Sequence, residues 1–296
     1  MAKTNTLKED LSGYALKTKH ELLDSSHFID FRHNVFGSAM DRRFVDMFIQ
    51  GDGNELVAKA AAVHSSSMLS YNFFHWVSKE YPLIIDGVVY DNVMFEVKMP
   101  VLKGTRQANM DVVLTGASGH CLFIESKFTE YLNSGEFEIS DTYRERPDKY
   151  HCRGEEWTKF IKEYDASGKG QYWDGIKQEI CHMIALNNWV DAKTDLISVP
   201  LPNDRSKIRF FHLLFKPGES YESELAAFDA YHARYTELHG ELEKRGLLPA
   251  GVDSKNISFK TYSDIWDCFM SNTLPEGLKE YLEEHYMQFA ASRMPR

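Results

Sequence analysis

No run of 18 or more apolar residues occurs in this 296-residue chain, which excludes a membrane-crossing helix on the usual length criterion. Cysteine is scarce. The four present (Cys121, Cys152, Cys181 and Cys268) show no CxxC spacing, so neither a zinc ribbon nor a disulfide framework is indicated. The start, Met1-Ala2-Lys3-Thr4-Asn5, lacks the apolar stretch of a secretory signal, and a reducing cytoplasm is the expected compartment. Gly-rich phosphate loops, a nucleophile elbow and an HExxH motif are all missing. Positive charge is also in deficit: 34 Lys and Arg stand against 44 Asp and Glu, a formal net charge of −10. A chain of that balance does not coat nucleic acid non-specifically, because neutralising phosphates takes Lys and Arg. Charge can still be segregated into a locally basic cleft.

What is there is ample for a core, with 43% hydrophobic and 13% aromatic residues. The length suits one large α/β domain with additions or two small domains. The most informative stretch is 108–130, ANMDVVLTGASGHCLFIESKFTE. Met110–Leu114 and Cys121–Lys127 are β-rich, and the residues from Thr115 to His120 between them form a turn cluster. An antiparallel hairpin centred there pairs positions whose numbers sum to about 235 or 236, which puts Asp111 beside Glu125 in either register. Alternation then sends Glu125 and Lys127 to one face, with Val113 and Phe123 deeper in the hairpin. Two carboxylates and a lysine at a sheet rim have the composition of a hydrolytic metal site. Magnesium is typically held by one or two carboxylates, waters and substrate phosphate oxygens, and a lysine can orient water or meet developing charge. Glu96-Val97-Lys98, with Asp86 and Asp91 upstream, repeats the spacing and is a rival site.

The arrangement Asp111, thirteen residues, then Glu125-Ser126-Lys127 resembles the core motif of the PD-(D/E)xK nuclease superfamily. Met110 stands where that motif often carries proline. The ordered features His64-Ser65-Ser66-Ser67, Asn72-Phe73-Phe74, Ala108-Asn109-Met110-Asp111 and Ile124-Glu125-Ser126-Lys127-Phe128-Thr129-Glu130 are similar to one bacterial restriction-endonuclease-like family within it. The resemblance covers about residues 50–215. It implies a restriction-endonuclease-like α/β fold: a central mixed sheet flanked by helices, with helical additions at both ends. It also implies a Mg2+-dependent nuclease, with Mn2+ as a substitute ion, that hydrolyses DNA phosphodiester bonds. Asp111, Glu125 and the Ser126 carbonyl would hold the metal, and Lys127 would position water. Glu55 matches a further acid that the superfamily places on its first core helix, and Gln178 beside Lys177 matches a polar residue on the helix after the ExK strand. For each the residues alone leave a second reading, a helix-start acid for Glu55 and a solvent-facing polar side for Gln178. The other class of function is a catalytically silent nuclease-fold protein that binds nucleic acid or a protein partner; a homodimer is a further option.

The expected organisation is an N-terminal extension (1–50), a nuclease-like core (51–216) and a C-terminal addition (217–296). Asn54 is a candidate N-cap for a helical stretch from Glu55 through Trp76, with a break at the serines as an alternative. Asp91-Asn92 is a candidate turn between Val88–Tyr90 and Val93–Lys98. A helix over 170–186 carries an apolar stripe (Ile176, Ile180, Met183, Ile184) and a polar one (Gln171, Asp174, Gln178, His182). On its own, His182 reads as an ordinary helix histidine. Leu196–Leu201, Ile208–Lys216 and Ile257–Tyr262 read as strands. Glu219–Arg245, Asp264–Met270 and Pro275–Phe289 read as helices. Tyr143–Arg153 is the best basic patch, although Glu145 and Asp148 dilute it.

Overall fold

Hydrophobic strands of five to eight residues build one sheet with helices packed on both faces. The structure is a computed structural model that describes residues 6–18, 22–24, 26–51, 56, 59–105, 107–132, 139–169, 174–194 and 199–290. A two-stranded ribbon, β1 (Leu83–Ile85) and β2 (Val88–Tyr90), precedes β3 (Asn92–Met99), β4 (Ala108–Thr115), β5 (Cys121–Lys127), β6 (Ile208–Leu214) and β7 (Ile257–Thr261). The last five form one mixed sheet in the order β3-β4-β5-β6-β7. β3, β4 and β5 run antiparallel, whereas β5, β6 and β7 run parallel. All seven residues of β5 are buried, as expected of a strand with neighbours on both edges and helices on both faces.

The helices are α1 (Leu7–Lys17), α2 (Arg42–Gln50), α3 (Ser66–Phe74), α4 (Asp141–Glu145), α5 (Gly154–Tyr164), α6 (Asp174–Val190), α7 (Glu222–Lys244), α8 (Tyr262–Met270) and α9 (Leu278–His285). On one face, Val112, Leu122, Ile124 and Phe211 meet Phe73 of α3, Tyr262 of α8 and Leu282 of α9. On the other, Val113, Phe123 and Phe210 meet Ile176, Ile180 and Met183 of α6, Trp157 of α5 and Leu238 of α7. The apolar stripe of α6 therefore packs on the sheet as its spacing predicts. The mixed α/β architecture matches the expected restriction-endonuclease-like class.

Three local expectations need correction. The turn falls at Asp86-Gly87, not at Asp91-Asn92: both residues have positive φ (51° and 76°), the combination that a two-residue hairpin turn demands and that Asp-Gly supplies. β2 and β3 consequently belong to different sheets. Among the described residues from 56 to 76 the α-helix is Ser66–Phe74, which begins at the serines. Its cap is Ser65, whose hydroxyl accepts the Met68 N–H at 3.3 Å, while Ala62 bridges His27 in extended form. Asn54 lies outside the described residues. Residues 196–198 of the Leu196–Leu201 strand lie outside them too, and residues 199–201 carry no strand.

The β4–β5 turn is anchored to the ribbon. A Cβ on Gly116 would lie 2.1 Å from the Val89 carbonyl oxygen, a backbone atom that cannot rotate away. Gly116→Ala is expected to lower stability by about 1–3 kcal/mol, read from the urea midpoint, by prising the hairpin from β2.

Candidate functional site

The hairpin register is fixed by Val112↔Ile124 and Val113↔Phe123, numbers that sum to 236, so Asp111 stands level with Glu125. Regular pairing ends at Val112↔Ile124. Beyond it the Asp111 carboxylate takes over, with Oδ2 accepting the Ser126 N–H at 2.7 Å. The cause lies one strand away. Glu96 has φ +52°, a left-handed kink inside β3, at the level where the β3–β4 register skips the pair Glu96 and Asp111. Side-chain alternation changes there: Phe95 and Val112 pack on the α3 face, whereas Val97 and Met110 pack on the α6 face. The kink lets Asp111 leave the ladder and reach across to β5.

Glu125 is fully buried and Lys127 nearly so, and the Lys127 ammonium donates to Glu125 Oε1. Burial pushes the Glu125 carboxyl up to about 7, against the pull of Lys127. Burial pulls Lys127 the other way, towards losing its proton. The carboxylates of Glu125, Asp111 and Glu130 outweigh that and hold it well above the ordinary lysine value. Ser126 points to the opposite face, its hydroxyl 2.7 Å from that of Tyr262. Glu130 turns back onto the end of β5, with Oε2 accepting the N–H groups of Phe128 and Thr129 at 2.7 and 3.0 Å.

From α6 comes His182, whose Nδ1 is 3.5 Å from Glu125 Oε2 and whose Nε2 is 3.0 Å from the Asn109 carbonyl. One turn back, Glu179 is wholly buried, and His239 Nε2 meets its Oε1 at 2.8 Å. His212 Nδ1 lies 3.2 Å from Glu179 Oε2, and the Tyr231 hydroxyl is 2.8 Å from His212 Nε2. Burial opposes the Glu179 charge, but hydrogen bonds from His212 and His239 prevail and hold its carboxyl down at about 2. His212 sits directly beside Glu125 across the parallel β5–β6 pair.

The structure thus brings Asp111, Glu125, Ser126 and Lys127 together as predicted. Glu55 lies outside the described residues. Gln178 is half-buried on α6, and the residues that α6 turns to the carboxylates are His182 and Glu179 instead. The rival set is dispersed: Asp86 pairs with Arg209 at the ribbon turn, and Lys98 is exposed. Glu96 alone remains near, its Oε2 accepting from Asn109 Nδ2 at 3.1 Å. Sequence reading gave His182 no role of its own and passed over Glu179, His212 and Glu130. Only the polar stripe on α6 and the acid closing IESKFTE could have flagged them.

Burial holds His182 and His212 below the ordinary imidazole value of 6.5, His182 at about 4. As pH falls through 6.5 the unfolded chain protonates both more readily than the folded chain does. The stability they contribute is therefore full above 6.5 and lost below it. Glu125 acts oppositely, since between 7 and its ordinary 4.5 the folded state takes up the extra proton. His64, which burial also holds down at about 4, adds to the loss from His182, and together they outweigh Glu125, so in EDTA the urea midpoint is expected to fall between pH 7 and pH 5. An unchanged or rising midpoint would contradict that balance.

A cavity of about 290 Å³ adjoins the end of β5, lined by Thr129, Glu130, Lys8, His27, Lys59, His64 and the serines Ser65, Ser66 and Ser67 at the start of α3. Two of the four cations of the Tyr143–Arg153 patch are paired with carboxylates within the chain. Arg144 pairs with Asp141 and Asp165, and Arg146 pairs with Asp148, while Arg153 donates to Asn187 Oδ1.

As a donor set, the hard oxygens of Asp111 and Glu125 suit a divalent cation. Glu125 Oε2 is buried without any hydrogen-bond donor, as a ligand oxygen would be. Among the described residues no three His, Cys, Asp or Glu already converge on one point, so such an ion would draw its other ligands from water and substrate. No helix among the described residues is long and apolar enough to cross a membrane.

Neither a curated protein nor a solved structure matches the chain. A family model described as restriction endonuclease associating with ARP matches residues 27–287, which takes in the sheet, the hairpin and every helix from α2 to α9. That match points to nuclease chemistry and to nucleic acid as a partner. On this evidence the chain belongs to the restriction-endonuclease-like family so described.

Proposed function

We propose that the protein is a metal-dependent nuclease that hydrolyses phosphodiester bonds in DNA. The observation that carries this reading is the juxtaposition of Asp111, Glu125 and Lys127 where β4 parts from β5. Asp111 and Glu125 would hold a divalent cation, Mg2+ or Mn2+, with the Ser126 carbonyl as a further oxygen. What such an ion supplies when bound is a polarised scissile phosphate and a lowered pKa for its water.

The chain's own residues do the rest. Lys127 stays charged among three carboxylates and is placed to steer the attacking water or meet charge on the phosphate. Asp111, tied to the Ser126 N–H, fixes the spacing between the two strands that carry the acids. The cavity beyond Glu130 offers lysine, histidine and serine groups to a neighbouring phosphate of the strand. Its charge is local, which reconciles DNA as substrate with an acidic chain. Lys8→Glu is expected to weaken DNA affinity and flatten its salt dependence by about one unit of log–log slope. Fluorescence anisotropy across a salt series checks this.

The deciding experiment incubates the purified protein with plasmid, linear and single-stranded DNA plus Mg2+ or Mn2+. Nicking or degradation of at least one is expected, with loss of activity in Glu125→Ala. Inertness on every substrate and metal would overturn the reading. Cleavage that survives Glu125→Ala but not Glu96→Ala would move the site to β3.

A further inference from the structure

His182 occupies the sheet-facing side of α6, where the neighbouring contacts are apolar and a histidine has to be accounted for. Its Nε2 lies 3.0 Å from the Asn109 carbonyl oxygen. A carbonyl only accepts, so Nε2 carries the proton and Nδ1 presents a lone pair. That lone pair faces Glu125 Oε2 across 3.5 Å. Both atoms are completely buried, and neither has a hydrogen-bond partner. A proton shared between them would draw them to hydrogen-bond distance, and they are not there.

Two unsatisfied acceptors facing each other inside a protein are a costly arrangement, since buried polar atoms are nearly always paired. A cation between them satisfies both at once. Donors about 2.1 Å from a common ion and 3.5 Å apart subtend roughly 110–115° at it, which suits four-coordinate geometry directly and six-coordinate geometry after a small closure. The other Glu125 oxygen is taken by Lys127, which leaves Oε2 as the one turned to the histidine.

We propose that His182 is a metal ligand, its Nδ1 forming with Glu125 Oε2 a mixed imidazole–carboxylate seat that favours Mn2+ or another first-row transition ion over Mg2+. This deepens the nuclease reading and rests on its assignment of Glu125 as a ligand. His182 on α6 would add a nitrogen donor to the oxygens of Asp111 and Glu125 already proposed from β4 and β5, and that imidazole nitrogen shifts the preference away from the all-oxygen shell that Mg2+ requires. The Asn109 carbonyl fixes the ring's tautomer and orientation, as an outer partner does for a ligating histidine.

The test is pulsed EPR of the full chain loaded with Mn2+, with calorimetric titration of Mn2+ and Mg2+ alongside. The wild-type protein is expected to show nitrogen coupling from one imidazole. His182→Gln is expected to lose that coupling, with Mn2+ affinity weakened at least about tenfold and Mg2+ affinity less changed. If His182→Gln does not fold, as judged by circular dichroism, His182→Asn takes its place, and the wild-type spectrum already decides whether a nitrogen is bound. Bound Mn2+ without nitrogen coupling, or coupling that survives removal of His182, overturns the proposal and leaves an oxygen-only metal site standing. Failure of the wild-type protein to bind Mn2+ overturns the proposal together with the metal-dependent reading beneath it.

Discussion

Lys127→Met is expected to lower the single-turnover rate of DNA cleavage about 10³-fold or more while leaving DNA affinity nearly unchanged. Methionine keeps most of the apolar stem, so the change removes charge more than volume. The ammonium is nearly buried and surrounded by Glu125, Asp111 and Glu130, so it contributes little to steering DNA from solution. Under the proposed mechanism its charge would act at the reacting phosphate, where water is excluded and each electrostatic contact counts for more. Arginine is not expected to rescue the variant, because its planar fork cannot take the place of a compact point charge at the end of β5. Rates measured with enzyme in excess, beside equilibrium binding to the same DNA, separate the two effects. Parallel losses of rate and affinity would instead make Lys127 a binding residue.

The same pair is expected to dominate a stability measurement in the opposite sense. Removing Lys127 alone leaves Glu125 buried without its cation, a loss of about 3–5 kcal/mol. The double variant Glu125→Met/Lys127→Met is expected to regain most of that, and to match or exceed the wild-type protein in urea. Desolvating two charges costs several kcal/mol per ion, and their attraction repays it only incompletely. The inactive double variant would then be at least as stable as the active protein, a direct measure of stability given up for chemistry. Additive losses from the two single changes would show that the pair is structural.

Much of this was legible in the sequence, for local reasons. The turn cluster at 115–120 fixes the centre of the hairpin, and alternation then fixes which acid meets which. The apolar stripe of α6 gave its packing face in the same way. Errors arose where the deciding fact was non-local or lay in turn chemistry. Asp86-Gly87 was passed over although its two positive-φ positions form the tighter hairpin turn. The helical period from 56 to 76 was overridden by the Ala62 bridge to His27. His212 was not singled out within the strand read at 208–216, because its place beside Glu125 depends on parallel pairing between segments 87 residues apart. Gln178 was preferred to His182 because it matches the polar residue that the superfamily resemblance implies on this helix. Here part of the polar stripe of α6 turns inward and is buried.

The parallel pairing of β5 with β6 also bears on when the protein becomes active during its synthesis. Until residues 208–214 have emerged and docked, β5 is an edge strand with an open row of amides, and neither His212 nor the α7 residues Tyr231 and His239 stand behind the acids. A nascent chain that ends before β6 holds Asp111, Glu125 and Lys127 but lacks the wall that buries them. On the proposed nuclease reading, the site could not be completed until β6 has been made and docked beside β5.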